Sequence, residues 1–116
     1  MEPVFDLQTH IEGALALLTF QGELTGSAED ALTQAYQKLA LARATNILLQ
    51  FHEKDYLNSA GIALLIALVS QARKEKRQVG VFGLSNHFQK IFDMIGLTDY
   101  LTIYQGEAEA RRLVSA

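Results

Sequence analysis

Short apolar runs alternate with amphipathic segments of helical spacing along this chain, and a layered α/β fold is the architecture that accommodates such a rhythm. Val4–Thr9 alternates apolar with polar residues, as a half-buried strand does. Glu12-Gly13 offers a tight turn, and Ala14–Phe20 reads as the returning arm of a hairpin. Gly22–Gly26 is a glycine-bracketed loop, after which Ser27 can cap a helix by accepting from a first-turn amide. Ala28, Ala31, Leu32, Ala35, Leu39 and Ala42 give that helix one inward face. Asn46–Phe51 is nearly all apolar, the pattern of a strand covered on both sides.

A polar loop, His52–Asn58, precedes a helix from Ser59 to about Arg77, with Ile62, Leu65, Ile66, Val69 and Ala72 on one stripe. Val79–Leu84 is a further buried strand. Ser85 caps the next helix, Phe88, Ile91, Phe92 and Ile95 form its buried face, and Gly96 suits its C-terminal end. Leu101–Tyr104 is a short strand and Glu107–Val114 a final helix. Strands joined through helices pair in parallel, so the expectation is a mixed, mostly parallel sheet with an antiparallel N-terminal edge and packed helices. With 116 residues and no Pro-rich or Gly/Ser-rich linker, residues 1–116 read as a single domain.

Three blocks carry a resemblance. Phe20-Gln21-Gly22-Glu23-Leu24, Tyr56-Leu57-Asn58-Ser59-Ala60-Gly61-Ile62 and Phe88-Gln89-Lys90-Ile91-Phe92-Asp93-Met94-Ile95-Gly96-Leu97 stand in register with the predicted elements. Together the chain resembles the STAS domain, and among its members the bacterial anti-sigma-factor antagonists. The resemblance implies a binding protein that engages an anti-sigma factor, or a serine kinase of histidine-kinase-like ATPase fold, until phosphorylation of one serine releases it. A serine phosphatase then resets the switch. Carried onto this chain, the serine is Ser59, and the partner surface comprises Glu23, Thr25, Asn58, Ser59, Ala60, Gly61 and Leu64. Two positions depart from the usual antagonist pattern: Asn58 replaces an acidic residue before the serine, and Thr25 replaces the Asp that often follows Gly-Glu-Leu. The resemblance also implies two other roles. One is a non-switching scaffold or accessory subunit of a stress-sensing or lipid-transport complex; the other is a small-ligand module, for which the residues give no specific support.

From its residues alone, Ser59 is a helix-capping serine, though without a reciprocal capping box because residue 62 is Ile. Phosphorylated, it would add about −1.5 to −2 charges over a helix N-terminus that tolerates anions, while a partner packed there would have to desolvate the charge. Gly61 permits close approach, either of a strand or of a partner. Leu64 and Leu68 have two placements: against a neighbouring helix, or in an exposed apolar patch beside Ser59.

The remaining polar groups read more plainly. Arg73-Lys74-Glu75-Lys76-Arg77 is a solvated helix end whose cations complement the dipole. Asp93 is a solvent-facing helix residue. His10, His52 and His87 lie on separate elements without metal-ligand spacing, and cysteine is absent, so neither a metal nor any other cofactor is expected. Hydrolase-elbow, phosphate-loop and zinc-protease motifs are missing, which disfavours an enzyme. The net charge of −3 offers no footprint for nucleic acid. The N-terminus lacks signal-peptide features, and the longest apolar run, Ala60–Val69, falls short of the ~20 residues that span a bilayer; a cytoplasmic protein is expected.

Overall fold

The computed structural model describes residues 5–114. β1 (Phe5–Glu12) and β2 (Leu15–Leu24) form the antiparallel hairpin, with Phe5 opposite Gly22 and Glu12 opposite Leu15. β3 (Asn46–Gln50) joins β2 in parallel, and β4 (Tyr56–Leu57) pairs in parallel with the far end of β2. β5 (Gln78–Phe82) and β6 (Thr102–Ile103) extend the sheet in parallel, giving the order β1-β2-β3-β5-β6 with β4 off this path. The mostly parallel sheet with an antiparallel N-terminal edge is thus the one the sequence predicts.

The side-chain alternation of β2 explains the layers. Ala16, Leu18 and Phe20 point into a core shared with α1 (Glu29–Leu41), α2 (Ser59–Lys74) and α3 (Asn86–Met94). Leu17 points the other way, joining Leu48 and Phe82 under Ala110 of α4 (Glu107–Val114). Ile47, Leu48 and Leu49 of β3 are fully buried, as a strand covered on both faces must be. Phe20 stacks on Phe51 with ring centroids 4.6 Å apart. Truncating a fully buried residue of this core, such as Leu18 or Leu65, to alanine would cost about 2–5 kcal/mol.

Several expectations need correction. β1 reaches Glu12, past Thr9, while Val4 lies outside the described residues. The segment Gly22–Leu24 is strand and not loop, because β4, hidden within the supposed His52–Asn58 loop, supplies partners for Glu23 and Leu24. Ser27 caps no α-helix. Thr25 precedes a 3-10 turn, Gly26–Ala28, and accepts from the Ser27 amide, while α1 starts without a side-chain cap. α1 stops at Leu41, which leaves Ala42 exposed beyond it. Ile66 and Ile95 are 41% and 49% exposed. The buried stripe of α2 runs through Gly61, Leu65, Leu68, Val69 and Ala72, and Ile66 sits at its margin; Ile95 follows the last residue of α3. β5 spans Gln78–Phe82 and β6 only Thr102–Ile103.

Other expectations hold. Ser85 caps α3 by accepting from the Phe88 amide, Gly96 takes the left-handed conformation after α3, and α4 has the expected bounds. Leu68 is buried and Leu64 half-buried along a groove shared with Leu32 and Tyr36 of α1, so the neighbouring-helix placement is the observed one.

The charged end of α2 is more than a solvated terminus. The helix stops at Lys74, Lys76 adopts a left-handed φ of 61°, and the Arg77 side chain is only 15% exposed. Arg77 donates to the Ala44 carbonyl, to the Tyr36 hydroxyl (3.2 Å) and to Glu75 (3.1 Å), and Tyr36 donates to Glu75 (2.8 Å). The Tyr36 hydrogen bond, helped by Gln71 and Arg77, holds the Glu75 carboxyl below the usual carboxylate range. Partial burial, then the bond to Glu75, pushes Tyr36 upward.

Candidate functional site

The end of β2 determines where the residues singled out in the sequence come together. Leu24 pairs with Leu57, and its carbonyl accepts from the Asn58 amide at 3.2 Å, so the chain enters α2 directly beside the end of β2. A Cβ on Gly61 would stand 2.1 Å from the Leu24 carbonyl oxygen, so the first turn of α2 lies against strand backbone at a distance that only glycine allows. Of the two roles open to Gly61, close helix–strand packing is therefore the one the structure displays. A Cβ built on Gly26 would stand 3.4 Å from the Ala60 Cβ, which brings the Thr25-Gly26 turn against the same helix end. Glu23, Thr25, Asn58, Ser59, Ala60 and Gly61 thus converge on one end of the sheet. Leu64 stands apart from them, facing the α1–α2 groove.

The cap of α2 also differs from the sequence expectation. Asn58, not Ser59, is the capping residue: its Oδ1 accepts from the Gly61 amide at 2.8 Å. Ser59 is the first helical residue, exposed, and its side chain makes no hydrogen bond among the described residues. The displacement has a chemical consequence. An amide side chain satisfies the helix end without adding charge, and the serine hydroxyl stays open to solvent. The first turn of α2 carries no acidic residue, so its dipole is uncompensated by a local carboxylate.

Two site-building residues escaped the sequence reading. Asp55 is the one buried charged residue among those described; its carboxylate accepts from the Gly22 amide at 2.8 Å and the His52 amide at 2.6 Å. It ties the β3–β4 loop to β2 and so holds Glu23 and Asn58 in register. The His52-x-x-Asp55 spacing, with an aspartate able to accept backbone amides in a turn, was the available signal. Tyr56 lies opposite Glu23 in β4, is 54% exposed, and meets Phe88 edge-on at 5.9 Å. Its exposure depends on the Glu23–Tyr56 pairing, which has no local signature.

The histidines stay on separate elements. His10 approaches Glu12 (3.1 Å), His52 Nδ1 lies 2.9 Å from the Phe20 carbonyl, and His87 packs edge-on to Phe88. Among the described residues no three potential metal ligands cluster, and no helix is long and apolar enough to cross a membrane. Asp93 is exposed and accepts from Thr98 at 3.1 Å.

Comparison with known proteins agrees with this architecture. The family model described as "Mlab, STAS domain" matches residues 7–104. The chain belongs to the STAS domain family. It is 22% identical over 88 residues to an anti-sigma-B factor antagonist of Listeria monocytogenes, covering 76% of this chain and 77% of the relative. The fold is similar to the crystal structure of an anti-sigma factor antagonist from Mycobacterium paratuberculosis, with a TM-score of 0.80, 18% identity, and coverage of 97% of this chain and 96% of that one. It is also similar to the anti-sigma factor antagonist SpoIIAA in its unphosphorylated form, with a TM-score of 0.73, 16% identity, and coverage of 97% and 99%.

Proposed function

We propose that this protein is an anti-sigma-factor antagonist, a cytoplasmic binding switch and not an enzyme, whose partner surface centres on Ser59. Unmodified, it binds an anti-sigma factor or a serine kinase of histidine-kinase-like ATPase fold; phosphorylation at Ser59 releases it, and a serine phosphatase restores it. The observation that carries this reading is the exposed Ser59 hydroxyl at the head of α2, left unoccupied because Asn58 provides the cap. The similarity to antagonists, one of which has been solved in a phosphorylated form, supports it.

The physics of such a switch is local. A phosphoryl group on Ser59 meets the positive end of the α2 dipole and leaves the core untouched, so the fold tolerates it. A partner seated over Glu23, Thr25, Asn58 and Ala60 must bury that charge, which weakens binding unless the partner supplies a cation. The test is intact-mass spectrometry of the wild type and Ser59→Ala, each incubated with ATP and the co-encoded kinase-like protein. One added phosphoryl group on the wild type alone is the expected result. No modification of either, with the kinase active and bound, refutes the switch.

A second reading is a constitutive STAS subunit of a stress-sensing or lipid-transport complex. It draws on Asn58 and Thr25 standing where antagonists usually carry acidic residues, and on a family model whose description names Mlab. Partner binding that persists unchanged in the presence of kinase and ATP would favour it.

A further inference from the structure

Six large hydrophobic residues are exposed among those described, and three of them, Ile66, Ile95 and Tyr100, line a single groove of about 490 Å³ between α2 and the end of α3. Val69 and Leu97 form its floor, and Arg73 and Lys74 its cationic rim. The Arg73 guanidinium lies 4.5 Å over the Tyr100 ring, which holds the charge at the edge of the apolar surface. Such clustering differs from scattered single exposures, which need no explanation.

The groove is continuous with the Ser59 surface. Ser59, Ile62, Ile66, Ser70 and Arg73 follow one another at three- and four-residue steps, a stripe along α2 about 21 Å long. Its serine end is the switch, its middle is apolar, and its far end is cationic. A complementary surface therefore has apolar side chains repeating at helical spacing and carboxylates toward one end. An amphipathic helix presents that combination, laid along α2 with its apolar stripe over Ile66 and its acidic residues facing Arg73 and Lys74.

We propose that the α2–α3 groove is a second docking element for the same regulatory partner, taking an acidic amphipathic helix of the anti-sigma factor; this rests on the antagonist reading above. The groove supplies affinity that does not depend on the charge state of Ser59, while the serine end decides whether the whole stripe can be covered. Phosphorylation then lifts one end of a long contact, and the remaining contact sets how completely the partner leaves.

The experiment is titration calorimetry of the full chain against the co-encoded anti-sigma factor, comparing the wild type with Ile66→Asp, Arg73→Gln and Arg73→Glu. Leu41→Asp serves as a control at an exposed apolar residue on α1, outside the groove. All three substituted sites, Ile66, Arg73 and Leu41, are on the surface, so matching thermal unfolding curves establish that folding is intact. Ile66→Asp is expected to weaken binding at least tenfold and Leu41→Asp to leave it unchanged. Arg73→Gln should fall between wild type and Arg73→Glu, and the spacing between them should shrink as salt rises, the signature of an acidic counterpart.

Wild-type affinity in both Ile66→Asp and Arg73→Glu, with Ser59 phosphorylation still causing release, overturns the groove and leaves the switch standing. Failure of the wild type to bind the factor at all overturns both. Self-association by ultracentrifugation that Ile66→Asp abolishes assigns the groove to a second copy instead. Binding to vesicles of anionic phospholipid that Ile66→Asp abolishes assigns it to lipid, and either result overturns the partner-helix assignment.

Discussion

The two ends of α2 solve the same problem in opposite ways. At its start, one side chain, Asn58, caps the helix locally and leaves Ser59 exposed and unbonded. At its finish, Tyr36, Glu75 and Arg77 form a network that reaches from α1 across to the Ala44 carbonyl before β3. The first arrangement is minimal and leaves chemistry available; the second consumes its polar groups in holding elements together. A helix anchored firmly at one end can present a modifiable residue at the other without depending on that residue for stability.

The largest effect that would break this contrast is at Gly61. Gly61→Val forces side-chain atoms onto the Leu24 carbonyl, which the strand backbone cannot yield, and should cost more than about 3 kcal/mol in urea unfolding. Asp55→Ala comes next. It strips the Gly22 and His52 amides of their acceptor in a half-buried setting and should cost about 2–3 kcal/mol, loosening the loop that holds Tyr56 and Asn58.

The sharpest test of the cap is a pair of variants. Asn58→Ala should lose about 1 kcal/mol of stability, while Ser59→Ala should stay within about 0.5 kcal/mol of wild type. A reversed order in their urea midpoints would place the cap on Ser59 and remove the reason its hydroxyl is open.

The smallest effect is a pH dependence at the other end of the helix. The folded Glu75 carboxyl titrates below its unfolded value, so its contribution is present above the ordinary carboxylate range and is lost as pH falls through the depressed folded value. Glu75→Gln should flatten the acid limb of the stability curve relative to wild type, whereas Ser59→Ala should leave that limb unchanged. Equal limbs in wild type and Glu75→Gln would show that the network does not couple to folding.

Much of this was legible before the structure. The continuous apolar run of β3 announced burial on both faces, and Ser85 and Gly96 marked the ends of α3 by local chemistry that needs no distant partner. The three blocks quoted from the sequence were enough to identify the family. What local pattern could not reveal was β4, two residues long and strand only because Glu23 and Leu24 lie beside it. Ser27 and Ser59 both looked like caps, yet α1 starts with no side-chain cap, Thr25 instead capping the 3-10 turn before it, and the cap of α2 is Asn58, one position before Ser59. Capping depends on backbone angles at the boundary, and candidates one residue apart carry the same composition signal.

The sequence by itself therefore determined the layering of the fold, the sites of the helices and the segment in which Ser59 stands, because periodicity and turn chemistry act within a few residues. Only the tertiary structure decided that Glu23, Thr25 and Ser59 share one end of the sheet, that Asn58 frees the serine, and that Arg77 is an anchor. The first and last of these rest on contacts between residues 33 and 41 positions apart (Asp55 with Gly22, Arg77 with Tyr36), fixed by packing and not by neighbours in the chain. The Asn58 cap is a local contact with Gly61, and its choice over Ser59 is set by the backbone angles at the helix boundary.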